Sequence, residues 1–150
     1  MPHACIGVDV IVGFPDEQEE DFKETYEFLR DMDISYIHAF TYSERNDTIA
    51  AEMDNQVPVD TRRKRTIRLR SLSDKKTRAF YKDYFGTEHV VLIEQSKGEG
   101  IHGYTENYIR VELPENAGEV NDLITVRLDD FAADGSVLAV PISSKIHAGV

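Results

Sequence analysis

This 150-residue chain has few cysteines, no apolar run of membrane length and no even spread of positive charge. Its one cysteine, Cys5, excludes an internal disulfide framework and agrees with a reducing compartment. No apolar run approaches the ~20 residues that a membrane span requires. The first residues also lack a basic start followed by an apolar core. The expectation is a soluble cytoplasmic protein with no membrane partner. His38, His89, His102 and His147 show no metal-ligand spacing to Cys5 or to one another, so no metal is assigned to this chain. With 41% hydrophobic residues, the chain is long enough for one medium core or two small ones.

Positive charge is scarce overall, with 17 Lys and Arg against 28 Asp and Glu. Ten of those bases lie in residues 61–85, TRRKRTIRLRSLSDKKTRAFYKDYF, beside only two acids, Asp74 and Asp83. Residues 1–60 carry a net charge of −12 and residues 86–150 one of −7. A net charge of −11 by itself argues against nucleic acid, because binding rests on cationic contacts that release counterions. Segregated charge restores the option, since a local basic face can bind phosphate while the rest keeps the protein in solution.

Residues 6–14, IGVDVIVGF, form a nearly continuous β-branched run that reads as a buried parallel strand. Asp16 stands where an N-cap belongs, with Glu19 three residues on as its capping-box partner. Phe22, Thr25, Tyr26, Leu29 and Met32 then give one apolar stripe at helical spacing. Residues 34–42, ISYIHAFTY, read as a second strand, completing a right-handed βαβ unit. Two strands alone leave sheet edges unpaired, so the unit is expected to belong to a larger protein or to pair with another chain, a homodimer included. Residues 43–60 are a loop beyond a parallel strand, the end where α/β sheets place ligands.

In residues 61–85, Ile67, Leu69, Leu72, Ala79 and Phe80 recur at roughly helical spacing, which predicts an amphipathic basic helix closed by Gly86. Five strand candidates follow, at residues 89–95, 101–104, 108–113, 123–130 and 137–142. Turns at residues 98–100, 114–118 and 134–135 separate them. Five short strands at this spacing suggest a small closed barrel of the OB type. Barrels of that size often bind nucleic acid across one face. The expected fold is thus α+β, with divisions at residues 1–60, 61–85 and 86–150.

Four stretches carry a resemblance. They are DVIVGFPDEQEEDFKETYEFL, ISYIHAFTYSERNDTIAAEM and TRRKRTIRLRSLSDKKTRAFY, followed in the same order by VVLIEQSKGEGIHGYTENYIRVEL. Together they resemble the C-terminal part of the radical S-adenosylmethionine methylthiotransferases, with their appended RNA-binding TRAM barrel. Within that family, GYTENYIRVEL at residues 103–113 looks most like the branch that modifies threonylcarbamoyladenosine in tRNA. Two departures stand out: the family's GFPGET appears with Asp16 at its second glycine, and its YSxRxGT with Asp47 at its glycine. Asp tolerates left-handed turns better than most residues, so the fold is expected to survive both changes.

The resemblance implies a partial radical S-adenosylmethionine (β/α) barrel segment, a linker helix and a five-stranded TRAM barrel, as the C-terminal fragment of the enzyme. It implies S-adenosylmethionine and two 4Fe-4S clusters in the whole enzyme, with methylthio insertion begun by a 5′-deoxyadenosyl radical. It also implies two partners, the tRNA anticodon arm and the enzyme's own N-terminal part. A site-differentiated cluster needs three thiolates, so a chain with Cys5 alone is expected to hold no cluster and to be inactive by itself.

By the same resemblance Ile11, Gly13, Phe14, Phe40, Tyr42 and Ser43 would wall the S-adenosylmethionine pocket. For Ile11 and Phe40 ordinary core packing is the competing reading. Arg45 is a candidate for a carboxylate or phosphate contact, or else a solvated loop arginine. Arg62, Arg63, Arg65, Arg68 and Arg70 would grip the tRNA backbone, unless they pair with the acidic segments on either side. In the barrel, Tyr104, Asn107, Tyr108 and Arg110 combine stacking surface, a base-edge group and a phosphate partner. The tyrosines could equally be rim packing. Two other functions stand beside this one: a free-standing RNA-binding module, and a protein-interaction domain whose basic helix docks an acidic partner.

Overall fold

The computed structural model describes residues 3–95, 100–142 and 146–147. The expected turn residues Gly98 and Glu99 lie outside them, and so does the side chain of His147. The chain forms two compact units, Ile6–Thr77 and Arg78–Val150, the latter with Met1–Cys5.

In Ile6–Thr77 the elements run β1 (Gly7–Val12), α1 (Glu19–Asp31), β2 (Tyr36–Thr41), α2 (Ile49–Glu52) and the start of α3 (Val59–Lys82). β1 and β2 pair in parallel from Gly7 with Tyr36 to Val12 with Thr41. Because strand side chains alternate, Val12, Ile37 and Ala39 point to one face. There they form a core with Phe22 and Leu29 of α1, Ile34, and Leu69 and Leu72 of α3. On the opposite face Asp9, Ile11, His38 and Phe40 remain exposed.

The start of α1 lies two residues beyond the expected cap. Gln18 is the N-cap, and its amide donates to the Asp21 carboxylate at 2.8 Å. Asp16 instead takes a left-handed φ of 69° and is bound through Oδ1 to the Asn55 amide at 2.8 Å. Its backbone is committed to the turn, which excludes it from the extended N-cap conformation. Asp47 is also left-handed, at φ 62°. Both positions where the chain carries Asp in place of the family's glycine therefore need the conformation that glycine supplies most cheaply.

The second unit is a closed five-stranded barrel of β3 (Glu88–Gln95), β4 (Ile101–Thr105), β5 (Arg110–Leu113), β7 (Val137–Pro141) and β6 (Asp122–Phe131). β3 pairs with both β4 and β6, which closes the ring, and a two-residue strand, β8 (Ile146–His147), adds to β6. All pairs are antiparallel except β5 with β7. The interior is aliphatic: Val91, Ile93, Ile101, Val111, Ile124, Val126, Leu128 and Val137 are among its buried residues. Phe80, Tyr81, Tyr84, Phe85 and Phe131 pack against it. Gly86 lies four residues past the end of α3, with a φ of 79°, and its N–H donates to the Leu128 carbonyl at 2.8 Å. No helix among the described residues is long and apolar enough to cross a membrane.

Candidate cofactor cleft and nucleic-acid interface

Past the C-terminal ends of β1 and β2 lies an open cleft of about 490 Å³, lined by Ile11, Phe40, Thr41, Tyr42, Ser43, Arg45, Thr48 and Ala50. Four of the six expected cofactor residues, Ile11, Phe40, Tyr42 and Ser43, meet in this lining. Within this chain Ile11 is 64% and Phe40 51% exposed. Phe14 sets its ring edge-on to Tyr42, 5.3 Å between centroids. Gly13 is not part of the lining. It turns with φ 80° against the stem of Arg62, where any side chain would collide, and donates its N–H to the Glu17 carboxylate.

Arg45, the candidate for a carboxylate or phosphate contact, also lines this cleft. Sequence reading passed over Thr48. Its hydroxyl accepts from Ala51 N–H at 3.3 Å as the N-cap of α2 and donates to the Arg45 carbonyl at 2.8 Å, which fixes the loop. A Thr ahead of a short apolar helical stretch was the signal for it.

The lining fits part of a nucleoside-type cofactor site. It offers exposed apolar side chains for a ring, a hydroxyl at Ser43, and a buried Tyr42 hydroxyl with no partner among the described residues. A 4Fe-4S cluster does not fit, because the chain has one cysteine. Among the described residues no group of three His, Cys, Asp or Glu is placed to hold a metal ion.

The arginines of α3 divide by helix face. Arg62 and Arg65 are buried, at 3% and 4% exposure. Arg62 pairs with Glu44 at 2.5 Å, and Arg65 with Glu17 at 3.0 Å and Glu19 at 3.3 Å. Arg68 lies over Phe22, 4.6 Å from the ring centroid, and bonds Glu19 at 2.9 Å. That bond, and after it the one from Arg65, holds the Glu19 carboxyl below the usual carboxylate range. Arg63 and Arg70 are exposed and make no ion pair among the described residues.

On the barrel, register places Leu92, Tyr104 and Arg110 side by side across β3, β4 and β5. A shallow cleft of about 310 Å³ is lined there by Val90, Leu92, Glu94, Tyr104, Thr105, Glu106, Tyr108 and Leu123. Tyr104 and Tyr108 bring their rings to 6.4 Å at 55°, with Tyr108 72% exposed on a left-handed turn of φ 63°. Asn107 is turned inward: its Oδ1 accepts from the Thr105 hydroxyl at 2.6 Å, and it is 7% exposed. Arg110 is half-exposed and bonds Asp134 at 3.3 Å. Its backbone N–H donates to the Tyr81 hydroxyl, and burial raises the pKa of that phenol.

No protein-family model matches the chain. The threonylcarbamoyladenosine tRNA methylthiotransferase MtaB of Aquifex aeolicus is 42% identical over 126 residues, covering 83% of this chain and 29% of its own length. The enzyme of that name from Bacillus subtilis is 33% identical over 133 residues, 85% of this chain and 30% of its own. The tRNA-2-methylthio-N(6)-dimethylallyladenosine synthase of Desulfitobacterium hafniense is 33% identical over 133 residues, 87% of this chain and 30% of its own. The chain thus spans about three tenths of the length of these relatives. With this likeness running through both of its units, the chain belongs to the family of radical S-adenosylmethionine methylthiotransferases.

Proposed function

We propose that this chain is the C-terminal part of a tRNA methylthiotransferase acting on threonylcarbamoyladenosine beside the anticodon. In this reading residues 1–60 complete the radical S-adenosylmethionine barrel, residues 61–85 connect, and residues 86–150 form the TRAM domain. The observation that carries it is the cleft beyond β1 and β2, where Ile11, Phe40, Tyr42 and Ser43 converge in a chain 42% identical to an enzyme of that name. Bound S-adenosylmethionine would supply the radical chemistry. Ile11 and Phe40 would flank its ring, and Ser43 would offer a hydroxyl to its polar groups. The clusters, and with them the reaction, would come from the N-terminal part of the same enzyme.

RNA contact falls to the exposed cations and aromatics. Arg63 and Arg70 would meet phosphates, while Tyr104 and Tyr108 would stack an unpaired base and Arg110 would sit at their side. The barrel's acidic balance confines this grip to a small area. The test is binding of the chain to a tRNA anticodon stem-loop across a series of salt concentrations. The expected outcome is a steep loss of affinity with salt, and a slope reduced by about one in each of Arg63→Ala and Arg70→Ala. Binding indifferent to salt, or a slope unchanged in both variants, would overturn the assignment.

A further inference from the structure

Arg62, Arg65 and Thr66 stand at i, i+3 and i+4 on α3, one face of the helix. That face does not present charge to solvent. Arg62 Nε donates to the Val57 carbonyl at 2.6 Å and Nη1 to the Tyr42 carbonyl at 3.3 Å, while Nη2 reaches Glu44 at 2.5 Å. Its guanidinium also covers the Tyr42 ring at 5.2 Å. Arg65 Nη1 donates to both the carbonyl and the carboxylate of Glu17 at 3.0 Å. That same carboxylate receives the Gly13 N–H. Thr66 meets Thr41 hydroxyl to hydroxyl at 2.7 Å. Apart from residues 56–57, just ahead of α3, and Glu19 at the start of α1, the partners of these three residues fall on two loops, residues 13–17 and 42–45, and on the end of β2.

We propose that Arg62 and Arg65 are positioning residues which hold these two loops, and through them Tyr42 and Ser43, in the geometry the cofactor cleft requires. The inference rests on reading that cleft as part of the S-adenosylmethionine site. It assigns the first turns of the basic helix to internal support and leaves phosphate contact to Arg63 and Arg70. A buried guanidinium is costly unless its donors are matched, and here carbonyls and carboxylates take all of them but Arg65 Nε, which has no partner among the described residues. Lysine keeps the charge but offers one point where arginine offers a planar fork, so it could not span the same partners.

Arg62→Lys and Arg65→Lys therefore separate the two roles, because a lysine still attracts phosphate. In the chain itself, amide hydrogen exchange at Gly13, Asp16 and Tyr42 should speed up roughly ten-fold while barrel amides keep their rates. In the complete protein that carries this chain, the KM for S-adenosylmethionine should rise about ten-fold or more. The KM for tRNA and the salt slope of tRNA binding should stay as they were. Should either lysine variant fail to fold, Glu44→Gln removes one bond of Arg62 from the solvent side, and should loosen residues 42–45 alone. Unchanged exchange at these amides in the lysine variants, or a salt slope of tRNA binding reduced by about one in Arg62→Ala or Arg65→Ala, would overturn the proposal. If the unaltered complete protein binds no S-adenosylmethionine, the cofactor reading falls, and the exchange measurement alone decides whether the arginines hold the loops.

Discussion

Asp134 and Ser136 lock the turn that precedes β7. The Ser136 hydroxyl donates to Asp134 Oδ1 at 2.5 Å and the Ser136 N–H donates to the same oxygen at 2.9 Å. These two bonds, then Arg110 and His102, hold the Asp134 carboxyl below the usual carboxylate range. A group whose folded pKa is depressed stabilises above its unfolded pKa, about 3.9 for Asp, and loses that contribution as pH falls through the lower folded value. Asp134→Ala should therefore destabilise the barrel at neutral pH by about 1 kcal/mol, the low end for a bond to a charged group because the carboxylate is part-solvated. Urea unfolding of both proteins should show that gap closing below about pH 4. A gap that widens in acid would contradict the assignment.

Gly103 sits where β4 is paired on both sides, with Ile93 of β3 and Val111 of β5. A Cβ there would run into the Leu92 carbonyl oxygen and the Val91 side chain. Gly103→Ala should cost about 1–3 kcal/mol by overpacking, because the obstacle is backbone. Gly86 offers a contrast, with open space around its Cβ position and only its φ of 79° against it. Gly86→Ala should cost about 1 kcal/mol. Thermal unfolding of the two variants should rank them in that order.

Tyr108→Ala and Tyr104→Ala should each weaken binding of the anticodon stem-loop by about 1–3 kcal/mol if a base stacks on their rings. The salt slope should not move, since a neutral tyrosine carries no cationic charge to release a counterion. Fluorescence anisotropy at several salt concentrations reads both quantities. A change of slope without loss of affinity would place the phosphate path over the tyrosines instead.

Much of the fold was legible because its signals are local. The β-branched runs became β1 and β2, the stripe from Phe22 to Met32 became α1, and the five strand candidates became β3 to β7 with ends shifted by a few residues. The two aspartates at glycine positions were legible as left-handed turns for the same reason. What escaped depends on distant partners. Charge pattern predicted the basic helix, but it could not show that Arg62 and Arg65 face inward while Ile67 is 64% exposed. That choice is made by Glu17, Glu44 and the carbonyls of Glu17 and Tyr42, all far away in sequence, with the nearby Val57 carbonyl. Asn107 read as a base-edge group because its amide invites one. Its inward turn follows from a hydrogen bond to Thr105 that only the folded turn creates. β8 was missed because a two-residue strand has no periodicity to read.

The ring pairing of β3 with β6 sets the order in which the barrel can be built. During synthesis β3 and β4 can meet early, but the other side of β3 has no partner until β6 has been made some thirty residues later. Until then its backbone groups stay open to stray strands, and joining ends so far apart costs loop entropy. Sealing of the barrel is therefore a late event, on the millisecond-to-second scale of non-local β topologies, and a ribosome that stalls between β5 and β6 would leave a sticky, half-made sheet behind.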